Sequence, residues 1–243
     1  MDSNYRPYDH VASFARVDEI LAKPQTNFEE VDELPDRDRL TFDNGFYAKC
    51  SAMFVDLRAS SQLPTHYNRP ALARLYRAYI SELVAIMNGS PLTREVNIVG
   101  DCVWAVFNTP NKSNIDDVFG LACRVTVFMK VLNYKLAKAN YKQPIRAGIG
   151  LAWGRALMIK AGHKGSTIND VVYMGDVVNR AAKLAAHGSK QPGGRPIYID
   201  RAFRWNLNDH NKGLTTQALD DADAFTADAV NTAMNDWYVA NCT

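Results

Sequence analysis

Residues 96–107, VNIVGDCVWAVF, constrain the fold more than any other stretch of the chain. Two β-favouring runs flank the single step Gly100 and Asp101, and side chains of a strand alternate between faces with a period of two. A reversal this short fixes both an antiparallel pair and its register. Whatever else forms must therefore accept a hairpin inside a sheet, with a carboxylate, Asp101, at its tip. The residues alone leave two readings of that acid: a turn former or a metal ligand.

The flanking segments supply the rest of a sheet and its helices. From Gly45 the run FYAKCSAMFVDL reads as a buried strand ending at Asp56. Leu72, Leu75, Tyr76, Tyr79, Ile80, Leu83, Val84 and Met87 then fall at helical spacing, with Asn68, Arg69 and Pro70 as the first turn and Asn88 and Gly89 as the stop. After the hairpin a second helix is expected to open at SNID, capped by Ser113 with Asp116 three residues on, its apolar face carrying Val118, Leu121, Val125, Phe128, Leu132 and Leu136. IRAGIGLAWGRALMIKAG reads as two strands, whose Gly148, Gly150 and Gly154 allow backbone or ligand to approach closely. Gly175 marks a turn into a third helix over residues 177–186, ending at His187 and Gly188. RPIYID is a further strand leading to a short helix, and DWYVA near the end is read as closing the sheet.

The order is β-α-β-β-α-β with additions, an α+β class with two helices on one face of a largely antiparallel sheet. Residues 1–44, rich in Asp, Glu, Pro and Arg, read as an N-terminal arm before one domain over residues 45–243. A chain of 243 residues with 47% hydrophobic content buries a sizeable core. No apolar run reaches about 18 residues and the first twenty have no basic or apolar leader pattern, so a cytoplasmic protein without a membrane span is expected. Net charge +2 supplies no basic stripe for nucleic acid, and any anionic partner should be small. Cys50, Cys102, Cys123 and Cys242 lack metal-ligand spacing and read as buried free thiols. The five histidines are scattered without a nucleophile motif, GHKGS at residues 162–166 lacks phosphate-loop spacing and reads as a hairpin loop, and the four tryptophans read as core or interface.

This order brings Asp56, at the end of the first central strand, beside Asp101 on the neighbouring hairpin. Two carboxylates on one sheet edge suit a hard divalent ion, because magnesium and manganese prefer oxygen ligands and share them with substrate phosphates.

Four segments in order, MFVDLRASS, NIVGDCVWAVF, IRAGIGLAWGRALM and YMGDVVNRAAKL, resemble the catalytic domain of class III nucleotidyl cyclases over residues 46–200. That resemblance implies a ferredoxin-like core. The helix NRPALARLYRAYISELVAIMNG is similar more narrowly to the stand-alone pyrimidine cyclases of bacterial Pycsar anti-phage systems. The resemblance implies that Asp56 and Asp101 bind metal with the backbone carbonyl of Leu57, two Mn2+ or Mg2+ ions per site, and that the following loop RASSQ offers backbone N–H groups to phosphates. It further implies that Asn179 orients the ribose and that position 183 supplies a transition-state cation. This chain has Lys183 where the family has arginine, so either Lys183 serves as a point charge or neighbouring Arg180 contributes; a solvated basic helix face is the plainer alternative.

Base-reading positions depart from the purine cyclases. Asn97 stands three residues before the hairpin glycine and Val172 three before the helix glycine. Asn97 both donates and accepts and so suits a pyrimidine edge, whereas an apolar Val172 leaves part of a purine unpaired; alternatively Asn97 is an exposed strand residue and the base is read elsewhere. The family's later phosphate-binding lysine is absent, with Lys212 the nearest stand-in. The expectation is conversion of a nucleoside triphosphate, UTP before CTP, into a cyclic pyrimidine nucleotide acting in antiviral defence through a product-sensing effector protein. The alternatives are an adenylate or guanylate cyclase and a catalytically inactive nucleotide-binding regulatory module. In the resembling family the metal aspartates of one catalytic domain face the asparagine and transition-state cation of another across a two-fold interface, so this chain, which carries one copy of each motif, is expected to work as a homodimer with two composite active sites.

Overall fold

A computed structural model describes residues 5–24 and 27–242, in which nine strands form one sheet. Its centre is β2 (Gly45–Leu57), whose alternate residues enter two different cores. The chain leaves β2 into α3 (Arg69–Asn88), where the Asn68 side chain accepts from Ala71 N at 3.0 Å and Gly89 stops the helix. It returns through β3 (Thr93–Val99) and β4 (Cys102–Asn108), crosses α4 (Lys112–Lys138) and finishes the core in β5 (Ala147–Gly162). These strands lie in the order β3-β4-β2-β5, antiparallel at every junction. That is the ferredoxin-like arrangement.

Helices α3 and α4 cover one face, where Leu75, Tyr79, Leu83 and Met87 meet Val118, Val125, Met53 and Val55. The other face holds α5 (Asp176–Ala185), which buries Val177 and Ala181 against Ala52, Ala152 and Ala156. Flanking strands widen the sheet. β1 (Phe28–Val31) runs parallel to the start of β2, and β6 (Asn169–Met174) folds back on the far half of β5. Beyond the near half of β5 come β7 (Ile197–Asp200), β9 (Ala224–Ala227) and β8 (Thr216–Gln217), with α6 (Arg201–Asn206) and α7 (Asp209–Gly213) between them. The expected N-terminal arm lies in part, at residues 1–4, 25 and 26, outside the described residues. Its described part forms α1 (His10–Leu21) and β1, and buries Leu34 and Leu40 in the second core.

Three local expectations are corrected. The cap of α4 is Asn111 in a reciprocal box with Asn114, two residues earlier than Ser113, and Asp116 instead accepts from Asn208 N and Asn211 Nδ2. The two strands expected over residues 145–162 are one, because both halves of β5 pair without interruption along β2 and Gly154 sits in ordinary contact with Val177. DWYVA belongs to α8 (Thr232–Asn241), capped by Asn231 and packed on α4; the sheet continues through β9 instead. The cysteines are free, three of them buried and Cys102 half-buried. Trp104 and Trp153 are partly buried, while Trp205 and Trp237 are exposed.

Candidate active site

Register places the first pair of functional side chains. Val55 faces Val103 across β2 and β4, so Asp56 comes level with Cys102 and beside the turn that carries Asp101. Gly100 makes that turn with φ 63°, in the left-handed region that glycine enters without cost. Asp56 shares a sheet face with Phe54, whose ring stacks on Trp104 with centroids 5.0 Å apart. Burial pushes the Asp56 carboxyl above its ordinary value; Arg58 pulls the other way and Asp101 adds to the push, so the two acids are electrostatic neighbours.

Arg58, Tyr76 and Tyr79 join this pair, and sequence reasoning gave none of their side chains a functional role, Arg58 having been read only as part of a loop that offers backbone N–H groups. The Arg58 guanidinium bonds the Asp56 carboxylate and, through Nη1, Ala186 O at 2.9 Å. Tyr79, on the α3 side of the sheet, has a fully buried hydroxyl without a hydrogen-bond partner among the described residues; burial raises it well above its usual range, with Cys102, Asp56 and Asp101 contributing. Tyr76 is raised by burial and by Asp101. The helical spacing of the two tyrosines marked them as core, and nothing in a single sequence reports that they stand within electrostatic range of the carboxylates. Leu57 closes β2, and Arg58 N then bonds Arg146 O at 2.7 Å. Ala59 follows at φ 54°, a left-handed turn that swings residues 60–62 into a 3-10 turn ahead of α3.

The residues present fit a divalent ion. Both side-chain donors are hard oxygens, they repel one another when bare, and a cation already sits on one of them. Among the described residues no cluster of three or more His, Cys, Asp or Glu side chains could hold a metal, so Asp56 and Asp101 would share an ion with the Leu57 carbonyl and with substrate oxygens.

The second group lies on α5. Gly175, at φ 144°, starts the helix where a Cβ would come within 2.7 Å of Arg155 O. Asn179, Arg180 and Lys183 line a cavity of about 670 Å³ together with Tyr47, Trp153 and Trp205. Asn179 and Lys183 are exposed, and Lys183 makes no ion pair among the described residues. Arg180 is committed elsewhere: its Nη1 lies 2.8 Å from Asp221 Oδ2, and its buried Nη2 has no partner among the described residues. Asp200, also on the cavity wall, is pushed up to about 6 by burial against the pull of N–H bonds from Phe203 and Trp153 and the charge of Arg180. Asp56 and Asp101 do not line this cavity.

The candidate base readers separate. Asn97 pairs with Trp104 and so lies on the Phe54 face. Val172 alternates with Val171 and Tyr173, both packed against the second core, and therefore points to the opposite face. Lys212 lies 3.9 Å from Asp209 on α7 and does not line the α5 cavity.

Comparison with known proteins identifies this arrangement. Residues 43–192 match the adenylate and guanylate cyclase catalytic domain. A protein named uridylate cyclase from Treponema porcinum is 40% identical over 233 residues, covering 95% of this chain and 80% of that protein. Another of the same name from Gulbenkiania mobilis is 46% identical over 228 residues, covering 89% and 88%. The adenylyl cyclase CyaB from P. aeruginosa superposes with a TM-score of 0.60 at 21% identity, covering 71% of this chain and 85% of CyaB. A class III adenylyl cyclase-like ATP-binding protein from Pseudomonas aeruginosa gives 0.71 at 17% identity over 93% of this chain and 48% of its own. The chain belongs to the adenylate and guanylate cyclase catalytic-domain family and is a nucleotide cyclase.

Proposed function

We propose that the chain converts UTP to the 3′,5′-cyclic nucleotide with release of pyrophosphate. The observation that carries this reading is the carboxylate pair Asp56 and Asp101 on adjacent strand ends inside a cyclase fold, and the two relatives named uridylate cyclase support the choice of UTP over CTP. In the reaction the ribose 3′-oxygen loses its proton and bonds the α-phosphorus, while the bond to the β-phosphate oxygen breaks and pyrophosphate leaves. Two divalent ions, Mn2+ or Mg2+, bound by Asp56, Asp101 and the Leu57 carbonyl would lower the pKa of that hydroxyl and neutralise the leaving group. Asn179 orients the ribose through an amide that both donates and accepts. Lys183, exposed and without an ion pair among the described residues, places a point charge against the crowded α-phosphate, whereas Arg180 is held by Asp221 and contributes indirectly. Asn97 offers one edge contact to a pyrimidine, and Val172 takes no part from its place on the far face.

Asp56 and Asp101 do not line the cavity beside α5, which favours a homodimer in which each site takes carboxylates from one subunit and α5 from the other. The product would act as an intracellular antiviral signal read by an effector protein, made in the cytoplasm. No described helix is long and apolar enough to cross a membrane. The test is incubation of the purified protein with each of the four ribonucleoside triphosphates and manganese, with products identified by mass spectrometry. Cyclic UMP as the main product is expected; ATP or GTP cyclised as fast as UTP overturns the pyrimidine reading.

A further inference from the structure

Arg58 makes contacts that the cyclase chemistry leaves unassigned. Its side chain is only 13% exposed. One guanidinium nitrogen, Nη2, bonds both the carboxylate and, at 3.2 Å, the carbonyl of Asp56, which Nε also reaches at 3.3 Å. The other, Nη1, donates at 2.9 Å to Ala186 O, where the C-terminal end of α5 presents unsatisfied carbonyls and the negative end of the helix dipole. A fixed cation thus holds the oxygen that a divalent ion would need. The two compete, because like charges a few ångströms apart in a half-buried site repel strongly.

We propose that Arg58 gates cation entry at Asp56, serving as the resident counter-ion of the metal-free protein and yielding the carboxylate only when a nucleoside triphosphate accompanies the metal. The inference rests on the assignment of Asp56 as a metal ligand. Its second half follows from charge and place. Arg58 opens the loop that leads from β2 toward α3, and a guanidinium released from a carboxylate finds its best alternative acceptor in a phosphate, which it can engage through two parallel bonds. Metal and nucleotide then bind with positive coupling, and the coupling is the same read from either side. The gate keeps Asp56 and Asp101 from holding an ion in the absence of substrate. Arg58 acts on Asp56 in the metal-free protein and on a substrate phosphate once released.

The experiment is Mn2+ binding to the full chain, followed by electron paramagnetic resonance, with and without 3′-deoxy-UTP, which lacks the attacking oxygen and cannot turn over. Wild-type protein should bind Mn2+ weakly alone and more tightly with the analogue. Arg58→Gln should bind Mn2+ alone about tenfold more tightly than wild type, the effect of removing one charge-assisted competitor, and should lose most of the dependence on the analogue. Equal or weaker binding of Mn2+ alone by Arg58→Gln, or no tightening of the wild type by the analogue, overturns the gate. If Asp56→Asn binds Mn2+ as well as wild type does, the metal assignment fails as well; if it loses binding while Arg58→Gln matches wild type, only the gate fails. Should Arg58→Gln not fold, the wild-type protein decides. Its Arg58 Nε–H resonance, identified by loss in Arg58→Lys, must shift on addition of Mg2+ with the analogue, and a stationary resonance overturns the proposal.

Discussion

Asp56 is held above its ordinary pKa by burial and by Asp101, so the fold keeps two acids together at an electrostatic cost that a bound cation relieves. Replacing either with asparagine removes a ligand without removing volume. Asp56→Asn or Asp101→Asn should cut cyclisation by at least about a hundredfold, since even outer-shell partners of a metal site are worth 10–100-fold. The thermal midpoint should hold or rise; turnover unchanged in either variant would dismiss the metal assignment. Asp200 allows a separate test by pH. Its carboxyl titrates near 6 in the folded chain, above the ordinary 3.8, so between those values the folded state holds more proton than the unfolded state. Its contribution to stability therefore falls as pH rises through that window and is flat above it. Asp200→Asn keeps the capping oxygen for Phe203 N and removes the titration. Relative to wild type, the variant should gain on the order of 2 kcal/mol between pH 4 and pH 7 in urea denaturation; a gap independent of pH would mean that Asp200 is not the titrating group. Asp56 and Asp101 were legible in the sequence because an acid at the end of an apolar run breaks the strand pattern. Arg58 and Tyr79 were not, because their roles come from contacts between β2, α3 and α5 that no local spacing encodes.

Helix α5 lies on the sheet at backbone distance, and two glycines make this possible. A Cβ on Gly148 would stand 2.1 Å from Ala185 O, and one on Gly150 would stand 2.1 Å from Ala181 O, both main-chain atoms that cannot swing aside. Gly148→Ala or Gly150→Ala should each destabilise the fold by about 3 kcal/mol or more, at the upper end for overpacking, and should displace Asn179 and Lys183. Gly100→Ala is the comparison. Nothing lies within 4 Å of its would-be Cβ, and only the left-handed φ is strained, at a cost of about 1 kcal/mol. Equal denaturation midpoints for all three variants would refute the close-packing account. At this scale the sequence carried the elements whose ends are chemically marked. α3 is bounded by Asn68 and Gly89 and forms between them. The run over residues 145–162 misled because its length and scattered glycines read as two strands, yet β2 pairs straight through it. DWYVA misled because aromatic and β-branched residues favour strands locally, while packing on α4 and the Asn231 cap decide for a helix.

For the whole molecule, the separation of the two half-sites matters most. Asn179 and Lys183 face a cavity that Asp56 and Asp101 do not line, while Trp205 on its wall stays 63% exposed. We propose that a two-fold dimer closes two sites, each pairing one subunit's carboxylates with the other's α5. The sequence hinted at this only through one copy of each motif; which surfaces meet is a property of the folded face. Complementation tests it. Asp101→Ala and Asn179→Ala proteins should each be inactive. When they are mixed and allowed to exchange subunits, half of the dimers become heterodimers, and each heterodimer joins the intact carboxylates of the Asn179→Ala subunit to the intact α5 of the Asp101→Ala subunit. One of its two sites works, so activity should recover to about a quarter of the wild-type level at equal mixing. Dilution should then lower specific activity in the mixture and in wild type alike, because a shared site disappears when subunits part. Free exchange without recovery, or full turnover by a preparation shown to be monomeric by sedimentation, would place all the working residues within one chain.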